Sequence, residues 1–331
     1  MNKYIPPFTV SAEAINKVAE ISAQIERYAI RLEQEDGLKL RKVNRVRTIR
    51  GTLAIEGNTL PETQVLDVLE GKTVVAPKRE LQEVKNAIET YAHYKDFDPW
   101  NVEDLLRAEA IMMKGLNQDA GKWRAGNVGV QSEKGLEHLA PPPTLVPTLI
   151  GQLFDWLRTS NDHLLIRSCV FHYEFEFIHP FSDGNGRMGR LWQSVILGKL
   201  NPVFEHLPIE NMVYNNQQAY YDAIKESTNR GDCGVFIDFM LDEILKALQS
   251  HQGTEIENVG INVGINVGIN LGAREKEILE SIKANPQVSA SKLAETIGLT
   301  PRQCERILAK LKKEGIISRI GPNKGGCWKI N

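Results

Sequence analysis

The chain has 331 residues, 42% apolar and 25% charged, with a formal net charge of −2, an ordinary balance for a soluble protein with material for two domains. No apolar run reaches membrane-spanning length and the start, MNKYIPPFTV, lacks a signal-like apolar region, which argues against membrane and secretory classes and predicts a cytoplasmic protein. Cys169, Cys233, Cys304 and Cys327 stand far apart with no CxxC pair, against a disulfide framework or a zinc site.

Ser11 is a good N-cap, and Ile15, Val18, Ile21 and Ile25 carry the apolar spacing of a helix running to about Glu35. A second helix is predicted from about Leu38 to Glu56, where Gly57 and Asn58 form a stop signal. That end is chemically odd. A carboxylate at a helix C-terminus is disfavoured by about 0.3–1 kcal/mol, and its helical neighbours, Thr52 and Leu53, bring no cation. Glu56 therefore either faces water, as most glutamates do, or has a partner elsewhere in the chain. Pro61 to Glu70, Lys78 to Tyr94 and Val102 to Lys114 read as amphipathic scaffold helices. Between 121 and 143, Gly and Pro exclude a helix, and Val128 and Val130 alternate like a short strand within a surface loop.

Further helices are predicted at Leu145 to Leu157, Leu164 to Phe177, Leu191 to Leu200, Val213 to Ile224 and Val235 to Leu248. His172, Glu174 and Glu176 read as satisfied polar groups flanking a core. Between two of these apolar helices lies His-Pro-Phe-Ser-Asp-Gly-Asn-Gly-Arg-Met-Gly-Arg, residues 179–190. Pro180 biases His179 out of helical geometry, and Asp183 has the character of an N-cap for the next helix. A loop running into a helix N-terminus offers free N–H groups and a dipole suited to phosphate, and Gly184 and Gly186 permit close approach of backbone to a ligand. Arg187 and Arg190, three apart, share a helix face that can clamp successive phosphates. His179 titrates in the range of a general base, and Asp183 offers oxygen to Mg²⁺.

This stretch resembles the Fic family signature throughout: His-Pro-Phe, a variable residue, an acidic residue, Gly-Asn-Gly-Arg, and a second Arg three residues on. The resemblance implies a mainly α fold, an all-helical core with a small β-hairpin flap, and transfer of AMP from Mg²⁺-ATP to a protein Ser, Thr or Tyr hydroxyl. It implies His179 as base, Asp183 as Mg²⁺ ligand, a phosphate loop of Gly184, Asn185, Gly186 and Arg187, and Arg190 at the γ-phosphate. Thr52-Leu-Ala-Ile-Glu56-Gly57 is similar to the family's inhibitory motif, in the class with an N-terminal inhibitory helix. There Glu56 would pair with Arg190 and block the γ-phosphate position, misaligning the α-phosphate for attack. The resemblance also implies a target-docking flap at Val128, Gly129 and Val130, and base and ribose contacts near Asn215, Tyr220 and Tyr221.

Residues 259–272 read VGINVGINVGINLG, an alternation of apolar with Gly or Asn that suits either an extended strand, pairing with a neighbouring chain or the helical body, or a low-complexity linker. Beyond it, residues 273–331 hold 12 Lys and Arg against 6 Asp and Glu, while the remainder holds 28 against 36, so the tail alone is basic. Helices at Glu275 to Ala284, from Val288, and from a Thr300 cap with Pro301, then strands at Ile316 to Ile320 and Cys327 to Ile330, resemble a winged helix. Arg302, Gln303, Arg306 and Lys310 mark the would-be recognition helix, and the module suits either DNA or protein docking. The predicted organisation is a helical region carrying the inhibitory motif (1–100), a catalytic core (101–250), a linker (251–272) and a winged-helix α/β domain (273–331). Expected partners are a hydroxyl-bearing protein, which can be a copy of the chain itself, DNA through the tail, and a second protomer. The rival readings are removal of AMP from a modified protein and a DNA-binding regulator that senses nucleotide without turnover.

Overall fold

A computed structural model describes residues 4–33, 37–132, 135–249, 277–279, 281–282, 286, 288–313, 317–320 and 327–330. The repeat at 259–272 and the turn at 321–326 lie outside the described residues. The chain divides into two compact units, Met1–Glu255 and Ile256–Asn331.

The first unit is built from helices α1 (Ala12–Leu32), α2 (Gly37–Ile55), α3 (Glu62–Leu69), α4 (Lys78–Ala92), α5 (Val102–Met112), α6 (Val146–Thr159), α7 (Leu164–Ile178), α8 (Asn185–Gly198), α9 (Ile209–Asn215), α10 (Gln217–Arg230) and α11 (Gly234–Gln249). Its centre is α7, buried from Leu165 to Phe175 except at Arg167, the pattern of a helix enclosed by others. The helix α8 packs along it, α1 lies on α11, and α2 lies on α9.

Ser11 caps α1 by accepting from Ala14 N at 2.9 Å. The buried stripe, however, begins at Ala14 and continues through Ile21, Ile25 and Tyr28, leaving Ile15 60% exposed. The register is set by α11, where Asp242 holds Lys17 at 2.9 Å. The expected single helix from Val213 to Ile224 is two, α9 and α10, broken at Asn216. The Asn216 amide donates to Glu243 at 2.9 Å and to Met212 O at 3.3 Å, offering the chain an alternative to continued helix.

The end of α2 is a Schellman-type cap: Asn58 N donates back to Leu53 O at 3.1 Å and Gly57 takes φ 89°. Strands β1 (Gly129–Ser132) and β2 (Gly135–Leu139) pair antiparallel, with a register irregularity between Val130 and Gln131. Among the described residues no helix is long and apolar enough to cross a membrane.

The second unit carries helical residues at 277–279 and 281–282, then α12 (Ala290–Ile297), α13 (Pro301–Lys313), β3 (Ile317–Ile320) and β4 (Cys327–Ile330). Ser289 caps α12 through Lys292 N at 3.2 Å and Thr300 caps α13 through Gln303 N at 3.3 Å. Ile278, Leu293, Cys304, Leu308, Leu311 and Ile317 close a core of their own. The strands β3 and β4 pair antiparallel, and Trp328 ties them to the start of α12 by donating Nε1–H to Val288 O at 3.1 Å.

Candidate active site

The loop from α7 to α8 is held from three directions. His179 ends α7 with φ 50° and ψ 63°, the only non-glycine residue among those described with positive φ. A residue before proline is steered toward extended backbone, so the left-handed conformation is a departure from expectation, and such strain needs support from outside. Arg124 supplies it. Its guanidinium, 2% exposed, donates to His179 O at 2.8 Å, Ile178 O at 3.3 Å, Pro141 O at 2.5 Å and Gly126 O at 2.9 Å. The Arg124 backbone N–H also donates to Pro180 O at 3.0 Å. Phe181, fully buried, stacks on Trp123 at 5.3 Å. Asn185 closes the turn reciprocally, accepting from Phe181 N and donating to Phe181 O, both at 2.9 Å. Its amide side chain is thereby committed to the loop, and what it offers an anion is its backbone N–H.

The N-cap of α8 is Gly184 at φ 84°, not Asp183. A Cβ at Gly184 would stand 2.7 Å from the Met113 sulfur, so the side-chain-free residue takes the cap and Asp183 turns outward. The Asp183 Oδ1 accepts from Gly184 N at 2.6 Å and from Arg187 Nη2 at 3.1 Å, and Oδ2 lies 3.4 Å from Arg79. Its side chain is 42% exposed, whereas Arg187 is 3% exposed and keeps a buried Nε–H with no hydrogen-bond partner. The first turn of α8 thus presents backbone N–H groups, a half-buried carboxylate and a guanidinium with a spare donor, a set suited to phosphate.

Among the described residues no three His, Cys, Asp or Glu side chains converge on a metal position. A single outward carboxylate beside a phosphate cradle nevertheless fits Mg²⁺, which is commonly held by one or two carboxylates with phosphate oxygens and water. Asp183 is that carboxylate.

Three residues beyond Arg187, Arg190 is buried and bound to the end of α2. It donates Nε–H to Thr52 Oγ1 at 3.1 Å, and Nη2–H to Thr52 O at 3.0 Å and Glu56 Oε1 at 2.6 Å. Burial opposes the charge, but the Glu56 carboxylate outweighs it and holds the Arg190 pKa above the ordinary guanidinium range. The Glu56 carboxylate lies over the start of α8 because Gly186 has no side chain; a Cβ there would stand 2.5 Å from Glu56 Oε1. Arg187 and Arg190, expected to clamp together, are thus engaged by different carboxylates.

Behind the loop, His172 and Glu174 are satisfied: His172 Nδ1 meets Gln193 at 2.7 Å, and Tyr4 donates to Glu174 at 2.8 Å. Glu176 departs from the expected pattern. Its Oε1 is buried without a hydrogen-bond partner. Its oxygens lie 3.8 Å from His172 Nε2 and 4.0 Å from His179 Nδ1. Burial, lessened by Arg190 and reinforced by Glu56, pushes the Glu176 carboxyl up to about 7. The helical i to i+3 relation to His179 aligns the two side chains, a placement that periodicity does not distinguish from ordinary helix polarity.

Residues 99–197 match the Fic/DOC family, and residues 272–318 match the winged helix-turn-helix DNA-binding family. A crystal structure of a Fic family protein from Desulfovibrio desulfuricans G20 is 36% identical, with TM-score 0.73 over 99% of this chain and 98% of that one. The chain belongs to the Fic family. Among curated relatives, the protein adenylyltransferase Fic of Nematostella vectensis is 26% identical over 198 residues, 56% of this chain and 44% of that protein. The protein adenylyltransferase fic-1 of Caenorhabditis elegans is 28% identical over 248 residues, 70% of this chain and 46% of that protein. The Fic chain spans less than half the length of these relatives. Its C-terminal unit is a winged helix-turn-helix.

Of the residues expected near the base and ribose, Asn215 and Tyr221 are exposed, but Tyr220 is 2% exposed, with its hydroxyl 3.1 Å from His172 Nε2. Tyr220 therefore packs within the Fic core. In the flap stretch, Val128 O accepts from Ala140 N at 3.2 Å, and Gly129 and Val130 belong to β1. The fixing of the loop by Arg124 escaped the sequence reading, whose only signal was an arginine isolated in a Gly- and Pro-rich segment.

Proposed function

We propose that the chain transfers AMP from ATP to a hydroxyl of a protein, and that the Glu56–Arg190 pair restrains this activity. The observation that carries the reading is the 2.6 Å pair at Arg190, on the helix whose first turn forms the anion cradle. Backbone N–H groups at Asn185, Gly186 and Arg187, with the Arg187 guanidinium, hold the phosphates. Mg²⁺ at Asp183 would supply charge neutralisation on the leaving phosphates. His179 takes the proton as the target oxygen attacks the α-phosphorus, the bond from that phosphorus to the bridging oxygen breaks, and pyrophosphate departs. With Glu56 on Arg190, the γ-phosphate loses its cationic partner and its space, and in-line alignment is lost. The strands β1 and β2 form the edge against which a target's backbone would pair, and the acceptor can be a hydroxyl of the chain itself.

The test is incubation of wild type, Glu56→Gly and His179→Ala with ATP labelled at the α-phosphate. Strong self-labelling in Glu56→Gly and none in His179→Ala is expected. Equal, negligible labelling in all three overturns the transferase reading. Release of AMP from pre-labelled protein by wild type, lost in Glu56→Gly, would replace it with the removal activity.

The tail supports a second proposal, DNA contact through α13, on which Gln303 and Arg306 are exposed. Retention on duplex DNA that falls steeply with salt and disappears on removal of residues 273–331 is the expected result; salt-insensitive or absent retention overturns it.

A further inference from the structure

A cleft of about 350 Å³ is lined by Arg41, Lys42 and Arg45 of α2 together with Tyr91, Tyr94 and His206. Its cations are unevenly satisfied. Lys42 is paired with Glu70 at 2.5 Å, and the cleft's acid, Glu205, is paired with Lys95 at 3.2 Å. Arg41 makes no ion pair among the described residues. Arg45 gives Nη2–H to Ile88 O at 3.3 Å, and its Nε–H is buried with no hydrogen-bond partner. Burial holds His206 below the usual imidazole range; Glu205 opposes this, and Arg41, Lys95 and Arg45 reinforce it. A buried donor lacking an acceptor, and two arginines with no ion pair among the described residues, call for anionic oxygen.

The rest of the wall is apolar in character. Tyr91 donates its hydroxyl to Glu210 at 3.0 Å and Tyr94 donates to Ser194 O at 2.5 Å, so both tyrosines have their rings to offer, beside Leu69. The volume lies at the lower end of the range for small-molecule sites, about 300–1,000 Å³. It suits one phosphate group on a compact aromatic body.

We propose that this cleft binds a phosphate ester of mononucleotide size, with the phosphate on Arg41 and Arg45 and the apolar body against Tyr91, Tyr94 and Leu69. The site is coupled to the loop by the helix itself. Arg41, Arg45, Thr48 and Thr52 recur at helical spacing along one stripe of α2, and Thr52 is the residue bound to Arg190. A ligand that binds one placement of this stripe better than another shifts the placement of Glu56. The binding assignment is independent of adenylyl transfer; only this regulatory consequence rests on it.

The test is hydrogen exchange and calorimetric titration of the full chain with AMP and with adenosine, without divalent cation. Wild type should show AMP-dependent slowing of exchange at 41–48 and a change at 50–56. In an Arg187→Ala background, which weakens the loop cradle, one AMP site should remain, and adding Arg41→Ala and Arg45→Ala should weaken it at least tenfold. Adenosine should bind at least tenfold more weakly than AMP. No AMP effect at 41–48 in wild type, equal binding of adenosine, or undiminished binding after Arg41→Ala and Arg45→Ala overturns the site. Protection at 41–48 with unchanged exchange at 50–56 overturns the coupling. Because these readouts need no turnover, they separate a failed cleft from a failed transferase.

Discussion

Arg190 and Glu56 meet at 2.6 Å across 134 residues of chain, one 3% exposed and the other 32%. The carboxylate belongs to the last turn of chain after α2, and the guanidinium belongs to the helix that carries the anion cradle. Whatever moves α2 therefore changes the charge available at the cradle.

Thr52→Val removes the hydroxyl that accepts from Arg190 Nε while keeping the side-chain shape. One such bond is worth about 0.5–1.5 kcal/mol. Self-labelling should rise a few-fold over wild type and stay below that of Glu56→Gly, as read by incorporation of α-labelled ATP.

Arg124→Lys keeps the charge and loses the planar fork that serves the carbonyls of Gly126, Pro141, Ile178 and His179. Unfolding free energy should fall by about 2–4 kcal/mol, in keeping with loss of a buried charge-assisted network. In a Glu56→Gly background, the labelling rate should fall at least tenfold, because the left-handed His179 backbone loses its support.

Glu176 is faced by His172, His179, Arg190 and Glu56, and its carboxyl is pushed up to about 7 by burial. A folded chain that holds a proton more tightly than the unfolded one loses stability as pH rises. The loss begins near the unfolded carboxyl value of about 4.5, is complete once pH passes about 7, and is constant above. Glu176→Gln should therefore stabilise the protein by about 1–3 kcal/mol at pH 8 and have little effect at pH 4.5. Denaturant melts at the two pH values check the sign.

Gly51 is the point where α2 touches α9: a Cβ there would stand 2.8 Å from Asn211 N and Cα. Backbone cannot yield as a flexible side chain can, so Gly51→Ala should cost about 1–3 kcal/mol as overpacking. It should also raise self-labelling without altering any residue of the loop, measurable as thermal midpoint and label incorporation on the same samples.

Much of the site was legible because its chemistry is local. The stretch from His179 to Arg190 is one loop and one helix turn, and its glycines have direct backbone consequences. The unfavourable carboxylate at the end of α2 was legible as a problem, although its partner lies far away in sequence. What periodicity missed depends on tertiary partners: Asp183 lost the cap to Gly184 because Met113 occupies the adjacent space, and Ile15 was left outside because α11 sets the face of α1. Asn216 broke a helix through a side-chain hydrogen bond donated to Glu243, a residue two helices later. Glu176 was misread and Arg124 was passed over for the same reason, since neither polarity on a helix nor isolation in a loop reveals what the side chain reaches.

The missing side chain at Gly186 makes one volume serve two guests. In the proposed transfer the Glu56 carboxylate and a substrate phosphate would draw on the same guanidinium and the same space, which would make Glu56 a competitor attached to its own receptor. Its potency is an effective concentration, set by how firmly α2 is seated on α9 and along the cleft. Loosening that seat dilutes the inhibitor without changing its affinity for Arg190, and half-maximal activation should then move to lower nucleotide concentration in proportion.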